Sequence, residues 1–386
     1  MKPKVLLVGG PDIDRRIDLM QLLAPHFLPV AVGTDANCAA QFAQAGLGFV
    51  AYGMTRTASP VADVHSLAQL VRVFRRERPA LVHAFDTKPM VWARLAARIA
   101  GVPVVVGTVT GLGLLYTSRL TRHRALRRVY QPLAQLACHL SDMTVFQNPD
   151  DQHQLLARGV AVARRSTVVA GSGVRTDLFL PNRDPALRRE VRRELGLGDN
   201  EVVVLHVARV TASKGVREFA ASARAMAAVA PHVRYVLVGA VDAGGGDALT
   251  AGELADLHGS VRWLGHRHDI ARLLGAADIF AYPTAYGEGV PRALLEAAAC
   301  GLPLVATDVA GCRQVVLPQQ TGLLVPPRQV APLTAALLTL AQDRSLRQKL
   351  GAAARAHAIA LFDTKLVANQ VIALYRRLLQ AKQCMP

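Results

Sequence analysis

Residues 277–303 read Ala277-Asp-Ile-Phe-Ala-Tyr-Pro-Thr-Ala-Tyr-Gly-Glu288-Gly-Val-Pro-Arg-Ala-Leu-Leu-Glu296-Ala-Ala-Ala-Cys-Gly-Leu-Pro303. The order is strand, loop, helix and turn. Pro291 suits the first turn of a helix, where its missing N–H would have no partner anyway. Gly301 suits the position just past the helix end, and Pro303 stops any continuation. A helix is therefore expected from about Pro291 to Cys300, with Glu288 in the loop before it and Glu296 inside it. Eight residues of ideal helix would set the two carboxylates about 12 Å apart. Between them lies a helix N-terminus, whose backbone N–H groups and positive dipole end bind phosphate. Two glutamates eight residues apart are common by chance. Their context, carboxylate then phosphate site then carboxylate, suits the two ends of one extended nucleotide diphosphate-sugar better than a paired acid and base.

Outward from this stretch, strand-like and helix-like runs alternate along the whole chain. Lys4–Val8 is a short apolar strand ending at Gly9-Gly10, and a helix-like stretch follows at Ile17–Ala24. Further strands are expected at Pro29–Gly33, Ala80–Ala84, Pro103–Gly107, Met143–Gln147 and Thr167–Ala170. Helices are expected at Val64–Arg78 and Met90–Ala100. The polar stretch Pro181–Asn200 reads as a linker with one helix, and then the alternation restarts. Val202–Val210 is a nearly continuous apolar run, as buried parallel strands show. Tyr235–Gly239, Val261–Leu264, Ile279–Tyr282 and Leu304–Thr307 complete the second set. Such alternation means βαβ units and parallel sheets, so the fold class is α/β, two Rossmann-like doubly wound halves. Thr364–Ala381 reads as one amphipathic helix with Leu366, Val367, Val371, Leu374, Leu378 and Leu379 on a shared face.

A second cluster supports the phosphate reading. Val202–Val210 ends in Ala208-Arg209-Val210, followed by Thr-Ala-Ser-Lys214-Gly215. Arg209 and Lys214 thus leave the C-terminal end of a buried strand, the edge where doubly wound sheets bind ligands. Two cations there would hold a diphosphate and stabilise its charge as a glycosidic bond breaks. Alone in a loop, an Arg and a Lys would more often be solvated surface.

The chain has 386 residues and a net charge of +17. Residues 46–130 hold 13 Lys and Arg against 3 Asp and Glu. Such an excess points to an anionic partner, or to arginine replacing other polar residues under genomic base composition. Arg119–Arg128 has five arginines in ten residues. Contact with an anionic membrane and a plain solvated face both fit it. Nucleic acid does not, because neither aromatic interleaving nor a nucleic-acid module is evident. The five cysteines form no C-x-x-C pair and are odd in number, which suits a reduced cytoplasmic chain without a disulfide scaffold or zinc site. Ile99–Tyr116 is uncharged but holds four glycines and Pro103, so it reads as strand and loops and no transmembrane helix is expected.

Together these residues resemble family four of the GT-B glycosyltransferases, the retaining branch with a Glu-x7-Glu signature. The likeness covers nearly the whole chain and is strongest from Val202 to Val316. Ala208-Arg209 with Lys214-Gly215 is similar to the family's diphosphate-binding pair. Glu288-Gly289-Val290-Pro291 through Glu296-Ala297, then Gly301-Leu302-Pro303, is similar to its donor motif. Gly173–Phe179 is similar to the segment at the family's domain junction, although Ser172 and Arg175 depart from the pattern and receive no role. The resemblance implies two domains facing across a cleft, 1–178 for the acceptor and 179–362 for the nucleotide-sugar, with 363–386 crossing back as a helix to the first. It implies that Arg209 and Lys214 contact the donor β-phosphate. Glu288 would contact sugar hydroxyls with the N–H groups of Gly289 and Val290. Arg292, Ala293 and Leu294 would offer backbone near the α-phosphate, Glu296 would contact the ribose, and Leu264, His266 and Arg267 would flank the base. No metal or other cofactor is implied, because the cations and the helix end do a metal's work. No protein nucleophile is implied either.

The N-terminal half is similar to a narrower group acting on polyprenyl-linked saccharides in bacterial surface polysaccharide synthesis. His83-Ala-Phe-Asp-Thr-Lys88-Pro and Gly107-Thr-Val-Thr-Gly-Leu-Gly113 carry this likeness. Lys88, Thr110 and Gly111 would face the cleft. Many relatives place a histidine in the latter loop; Thr110-Gly111 stands here, so no catalytic histidine is assigned, and His83 reads as a core residue. Gly9 and Gly10 would let the acceptor approach, and Arg16 would reach a pyrophosphate. The expected partners are a UDP-sugar and a polyprenyl-diphosphate saccharide. The expected location is the cytoplasmic face of the inner membrane, held peripherally. Two readings compete: a sugar-nucleotide 2-epimerase of the same fold, and a non-enzymatic anionic-lipid-binding protein. A nicotinamide-dependent dehydrogenase would need a G-x-G-x-x-G fingerprint, which is absent.

Overall fold

The computed structural model describes residues 2–55, 59–117, 121–182, 184–242 and 247–383, apart from the Arg122 side chain. The chain divides into two compact units, residues 1–171 with 364–386, and residues 172–363. Residues 172–178 therefore fall in the second unit, not the first. The backbone explains why. Val174 bridges to Asp363, and its N–H bonds the carbonyl of Phe362 at 2.8 Å.

The first unit holds β1 (Lys4–Val8), β2 (Leu28–Gly33), β3 (Gly48–Ala51), β4 (Leu81–Ala84), β5 (Val104–Val109), β6 (Met143–Phe146) and β7 (Ser166–Val168). They form one sheet in the order β3-β2-β1-β4-β5-β6-β7, with parallel pairing throughout. Alternate residues of β1 serve opposite faces, as the two-residue strand period dictates. Val5 and Leu7 join one apolar cluster; Leu6 and Val8 join the other. The helix Thr364–Ala381 covers the first of these faces with Val367, Val371, Leu374, Tyr375 and Leu379. Leu366, expected on the same face, is 41% exposed; one residue before Val367, it turns about 100° away from the buried stripe.

The second unit holds β8 (Val202–Val207), β9 (Val233–Val238), β10 (Arg262–Trp263), β11 (Ile279–Tyr282), β12 (Leu304–Thr307) and β13 (Gly322–Val325). Their order is β10-β9-β8-β11-β12-β13, again parallel. Both sheets therefore grow outward from a central pair, β1/β4 in one and β8/β11 in the other. At each pair the strand order reverses, and the crevice beyond the strands' C-terminal ends is the place for a ligand.

Some expected boundaries move. β8 stops at Val207, because Ala208 onward leaves the sheet and returns only as isolated bridges, Val210 to Val241 and Thr211 to Ala248. The short strands β3 and β13, four residues each, give too brief a pattern to stand out from loops. Pro291 is the cap residue and the helix runs Arg292–Ala299. The helices at Pro60–Glu77 and Thr87–Ile99 both begin earlier than expected.

Candidate active site

The second unit's site grows from the C-terminal ends of β8 and β11. After β8 the chain makes a tight turn over Ala212–Lys214 and closes with Gly215 at φ 75°. A side chain there is excluded twice over. The conformation is left-handed, and a Cβ would lie 2.0 Å from the Pro283 carbonyl oxygen. This close approach pins the Lys214 loop against the segment leaving β11. Ala285 N–H donates to the Ser213 carbonyl at 2.7 Å, and Thr284 Oγ1 donates to the same oxygen at 3.2 Å.

That contact brings Lys214 and Glu288 together. Lys214 Nζ lies 2.8 Å from Glu288 Oε1, with side-chain exposures of 8% and 18%. The Tyr282 hydroxyl donates to the same oxygen at 2.6 Å. Burial, and then the Glu288 charge, push the Tyr282 phenol well above its ordinary range, so it stays a donor. The Lys214 ammonium also stands 4.7 Å from the centre of the Tyr286 ring, within cation–π range. Oε1 of Glu288 takes both bonds; its second oxygen has no partner among the described residues. Gly311 makes the space for this loop, since a Cβ there would lie 2.4 Å from the Gly289 oxygen and 2.6 Å from that of Glu288.

Beneath the site sits His206, fully buried on β8. Its Nδ1 faces the Ala281 carbonyl at 2.9 Å and its Nε2 faces the Lys214 carbonyl at 3.1 Å. Two carbonyl partners favour the imidazolium, but burial outweighs them and lowers the pKa to about 4. The ring is neutral at pH 7. It donates to one carbonyl at a time, and so ties the Lys214 loop to β11.

The helix Arg292–Ala299 begins without a side-chain cap, and Pro291 precedes it in extended conformation. Its first backbone bond runs from Leu295 N–H to the Pro291 carbonyl. The N–H groups of Arg292, Ala293 and Leu294 precede that bond and point out of the helix end. Glu296 lies one turn further in, and Arg292 Nε donates to its Oε1 at 3.0 Å. The Leu294 side chain is wholly buried, so only its backbone faces the site. Arg209 forms an ion pair with Asp242. Arg267 grips Asp269 with two bonds of 2.8 and 2.6 Å. Leu264 N–H bonds the Leu237 carbonyl, and exposed His266 lies 4.6 Å from the His268 ring. Arg209 follows the end of β8, and Leu264, His266 and Arg267 follow the end of β10.

In the first unit the equivalent edge gathers Gly9, Gly10, Thr110 and Gly111 around a residue that the sequence reading passed over. Asp86 Oδ2 receives the Gly10 N–H at 2.9 Å. Asp86 also lines a small cavity of about 20 Å³ together with Thr110 and Gly111. Its backbone stands at φ 65°, ψ 164°, a region that costs a residue bearing Cβ on the order of 1–3 kcal/mol. Arg16 lies over the Phe85 ring at 4.5 Å. Lys88 donates to Asp63 Oδ1 at 2.5 Å and to the Thr55 carbonyl at 2.9 Å. His83 is buried as expected, between the Tyr375 hydroxyl and Thr108 Oγ1, each at 2.6 Å. Cys38, Cys138, Cys300 and Cys312 are buried free thiols; Cys384 lies outside the described residues.

Sequence reasoning missed Tyr282, His206 and Asp86. Tyr282 sits in the quoted stretch, six residues before Glu288, but a strand tyrosine carries no functional signal of its own. His206 and Asp86 become visible only when neighbouring strand ends are brought side by side.

Comparison with known proteins accords with this geometry. Residues 201–343 match the family described as Glycosyl transferases group 1, and residues 17–171 match the family described as Glycosyl transferase 4-like domain. The chain is 28% identical over 338 residues to N,N'-diacetylbacillosaminyl-diphospho-undecaprenol alpha-1,3-N-acetylgalactosaminyltransferase of Campylobacter jejuni, covering 87% of each chain. It is 28% identical over 297 residues to UDP-Gal:alpha-D-GlcNAc-diphosphoundecaprenol alpha-1,3-galactosyltransferase of Escherichia coli, covering 76% of this chain and 74% of that one. In fold it is similar to HepE of Anabaena, solved in complex with UDP and glucose, at a TM-score of 0.81 and 21% identity over 97% of this chain and 100% of that one. With a parallel doubly wound sheet in each unit and a matched domain in each, the chain belongs to the GT-B glycosyltransferases of group 1, with a family-four-like N-terminal domain.

Proposed function

We propose that the protein transfers a hexose or N-acetylhexosamine, with retention, from a UDP-sugar to a polyprenyl-diphosphate-linked saccharide of a surface polysaccharide. The observation that carries this reading is the cluster of Lys214, Glu288 and Tyr282 beside the N-terminus of the Arg292–Ala299 helix. In this reading the donor diphosphate lies on Lys214, Arg209 and the helix end, which stabilise the charge of the leaving phosphate. The open oxygen of Glu288 accepts a hydroxyl of the donor sugar, and Glu296 accepts from the ribose. Transfer occurs on the front face, with the leaving phosphate helping to take the acceptor's proton. No nucleophile and no metal are required. Both undecaprenyl-linked relatives carry α products in their names; an α product from an α-linked UDP-sugar is retention.

The same reading places the first unit's basic helix, Thr121–Leu140, against anionic lipid. Leu126, Val129, Leu136 and Leu140 are each more than 40% exposed and recur at helical spacing on one side. Arg124 and Arg128 are exposed on the same helix. Apolar and cationic residues together suit an interfacial helix. Arg119 lies outside the described residues. No helix among the described residues is long and apolar enough to cross a membrane, so binding would be peripheral, at the cytoplasmic face where the UDP-sugar is available.

The test is UDP release from UDP-galactose and UDP-N-acetylgalactosamine, with and without a short-prenyl N-acetylglucosaminyl diphosphate, in the presence of EDTA. Acceptor-dependent release with an α-configured product is expected. Absence of both UDP binding and UDP release with these substrates would overturn the reading, and turnover of donor without acceptor would favour the epimerase.

A further inference from the structure

Asp86 is the capping residue of the Thr87–Ile99 helix, yet its side chain makes no capping bond. An aspartate at this position ordinarily turns its carboxylate onto the helix's own N–H groups. Here the carboxylate turns away, and Oδ2 receives the Gly10 N–H from the end of β1. β1 and β4 are neighbours in register, Val8 opposite Ala84, and they form the pair at which the sheet's order reverses. Asp86 therefore stands in the ligand crevice of the first unit, not merely at a helix end.

Its backbone sharpens the point. At φ 65° and ψ 164° a glycine would be at ease and an aspartate is strained. Backbone geometry alone gives no reason for a side chain here. Three segments meet at the carboxylate: the Gly9–Gly10 turn, the start of the Thr87–Ile99 helix, and the Thr110–Gly111 loop that lines the same cavity. The Tyr52 hydroxyl donates to the Gly9 carbonyl at 3.1 Å, and burial, then the Asp86 charge, push that phenol up, so it too stays a donor. Oδ1 has no partner among the described residues.

We infer that Asp86 contacts the acceptor and accepts, through Oδ1, a hydrogen bond from one of its sugar hydroxyls. This rests on the transferase reading and adds the part of the acceptor that lies at this edge. A carboxylate accepts hydrogen bonds, gives none and repels phosphate. The group above Asp86 is thus a saccharide hydroxyl and not the acceptor's diphosphate. Asp86 becomes a specificity-determining residue that selects which hydroxyl is presented.

The test compares Asp86→Asn and Asp86→Gly with the natural protein, using the short-prenyl N-acetylglucosaminyl diphosphate as acceptor and UDP-galactose as donor. The asparagine retains an oxygen for the Gly10 N–H and exchanges the second oxygen for a donor. It should raise acceptor KM at least tenfold and leave donor KM within twofold. The glycine relieves the backbone, so its Tm should equal or exceed that of the natural protein while acceptor KM rises. Unchanged acceptor KM in Asp86→Asn overturns the inference, as does a parallel rise of both KM values with a fall in Tm, which marks a purely structural carboxylate. If the natural protein transfers nothing, the transferase reading fails by itself. Calorimetric binding of the same saccharide diphosphate then decides for Asp86: tenfold weaker binding to Asp86→Asn supports it, and equal binding or none overturns it.

Discussion

Lys214 Nζ and Glu288 Oε1, 2.8 Å apart, come from loops after two different strands, and that pairing is the centre of the second unit. The pair is mostly buried, so each charge depends on the other. Removing one partner leaves an uncompensated charge, a loss of about 3–5 kcal/mol where burial is complete and less at this partly open site. Lys214→Ala is expected to weaken UDP binding and to lower kcat/KM by about 10²–10³-fold, the scale of losing one charge-stabilising donor. Glu288→Gln keeps the shape and loses the charge; it should lower transfer by a similar factor with a smaller effect on UDP affinity. Calorimetric titration with UDP and steady-state kinetics separate the two. Unchanged transfer in Glu288→Ala would remove its assigned role.

Tyr282→Phe deletes one hydrogen bond to the Glu288 carboxylate and nothing else of shape. A bond to a charged group contributes about 1.5–3 kcal/mol. A roughly tenfold or greater rise in donor KM is expected, with acceptor KM unchanged. Kinetics with both substrates varied check it.

Gly215→Ala forces a Cβ against the Pro283 carbonyl, 2.0 Å away, at a left-handed φ. Loss on the order of 3 kcal/mol is expected from strain and overpacking, read as a lower denaturant midpoint. Because the same contact sets Lys214 beside Glu288, UDP affinity should fall with it.

Two buried groups give opposite pH trends. The His206 pKa falls from 6.5 to about 4 on burial. Between those values the unfolded chain binds more protons, so stability is present above pH 6.5 and is lost as pH falls toward 4. Burial raises Asp151 from 3.8 to about 6, so its contribution is present below pH 3.8 and is lost as pH rises through 6. Each shift corresponds to roughly 3 kcal/mol. Asp151→Asn should therefore raise Tm relative to the natural protein at pH 8, and the gain should shrink toward pH 4. A gain independent of pH would refute the assignment.

In the first unit, Tyr375→Phe on the Thr364–Ala381 helix leaves buried His83 Nδ1 without its partner at 2.6 Å. A loss of about 1–3 kcal/mol is expected. Limited proteolysis should show earlier release of that helix.

The amino-acid sequence by itself determined the alternation of strands and helices, because apolar period and Gly/Pro punctuation are local. It also determined the bounds of the Thr364–Ala381 helix and the separation of Glu288 from Glu296 by a helix start. What only the tertiary structure decided is which residues meet. Lys214 and Glu288 are 74 positions apart and become an ion pair because β8 and β11 lie side by side with Gly215 letting their loops touch. Asp86 reaches Gly10 for the same reason at β1 and β4. Lys88 meets Asp63 from another helix, a contact its motif does not announce. Strand order is a property of long-range pairing, and no local pattern encodes it. Glu288 thus meets Lys214 and Tyr282 at one oxygen, while Glu296, inside the following helix, pairs with Arg292.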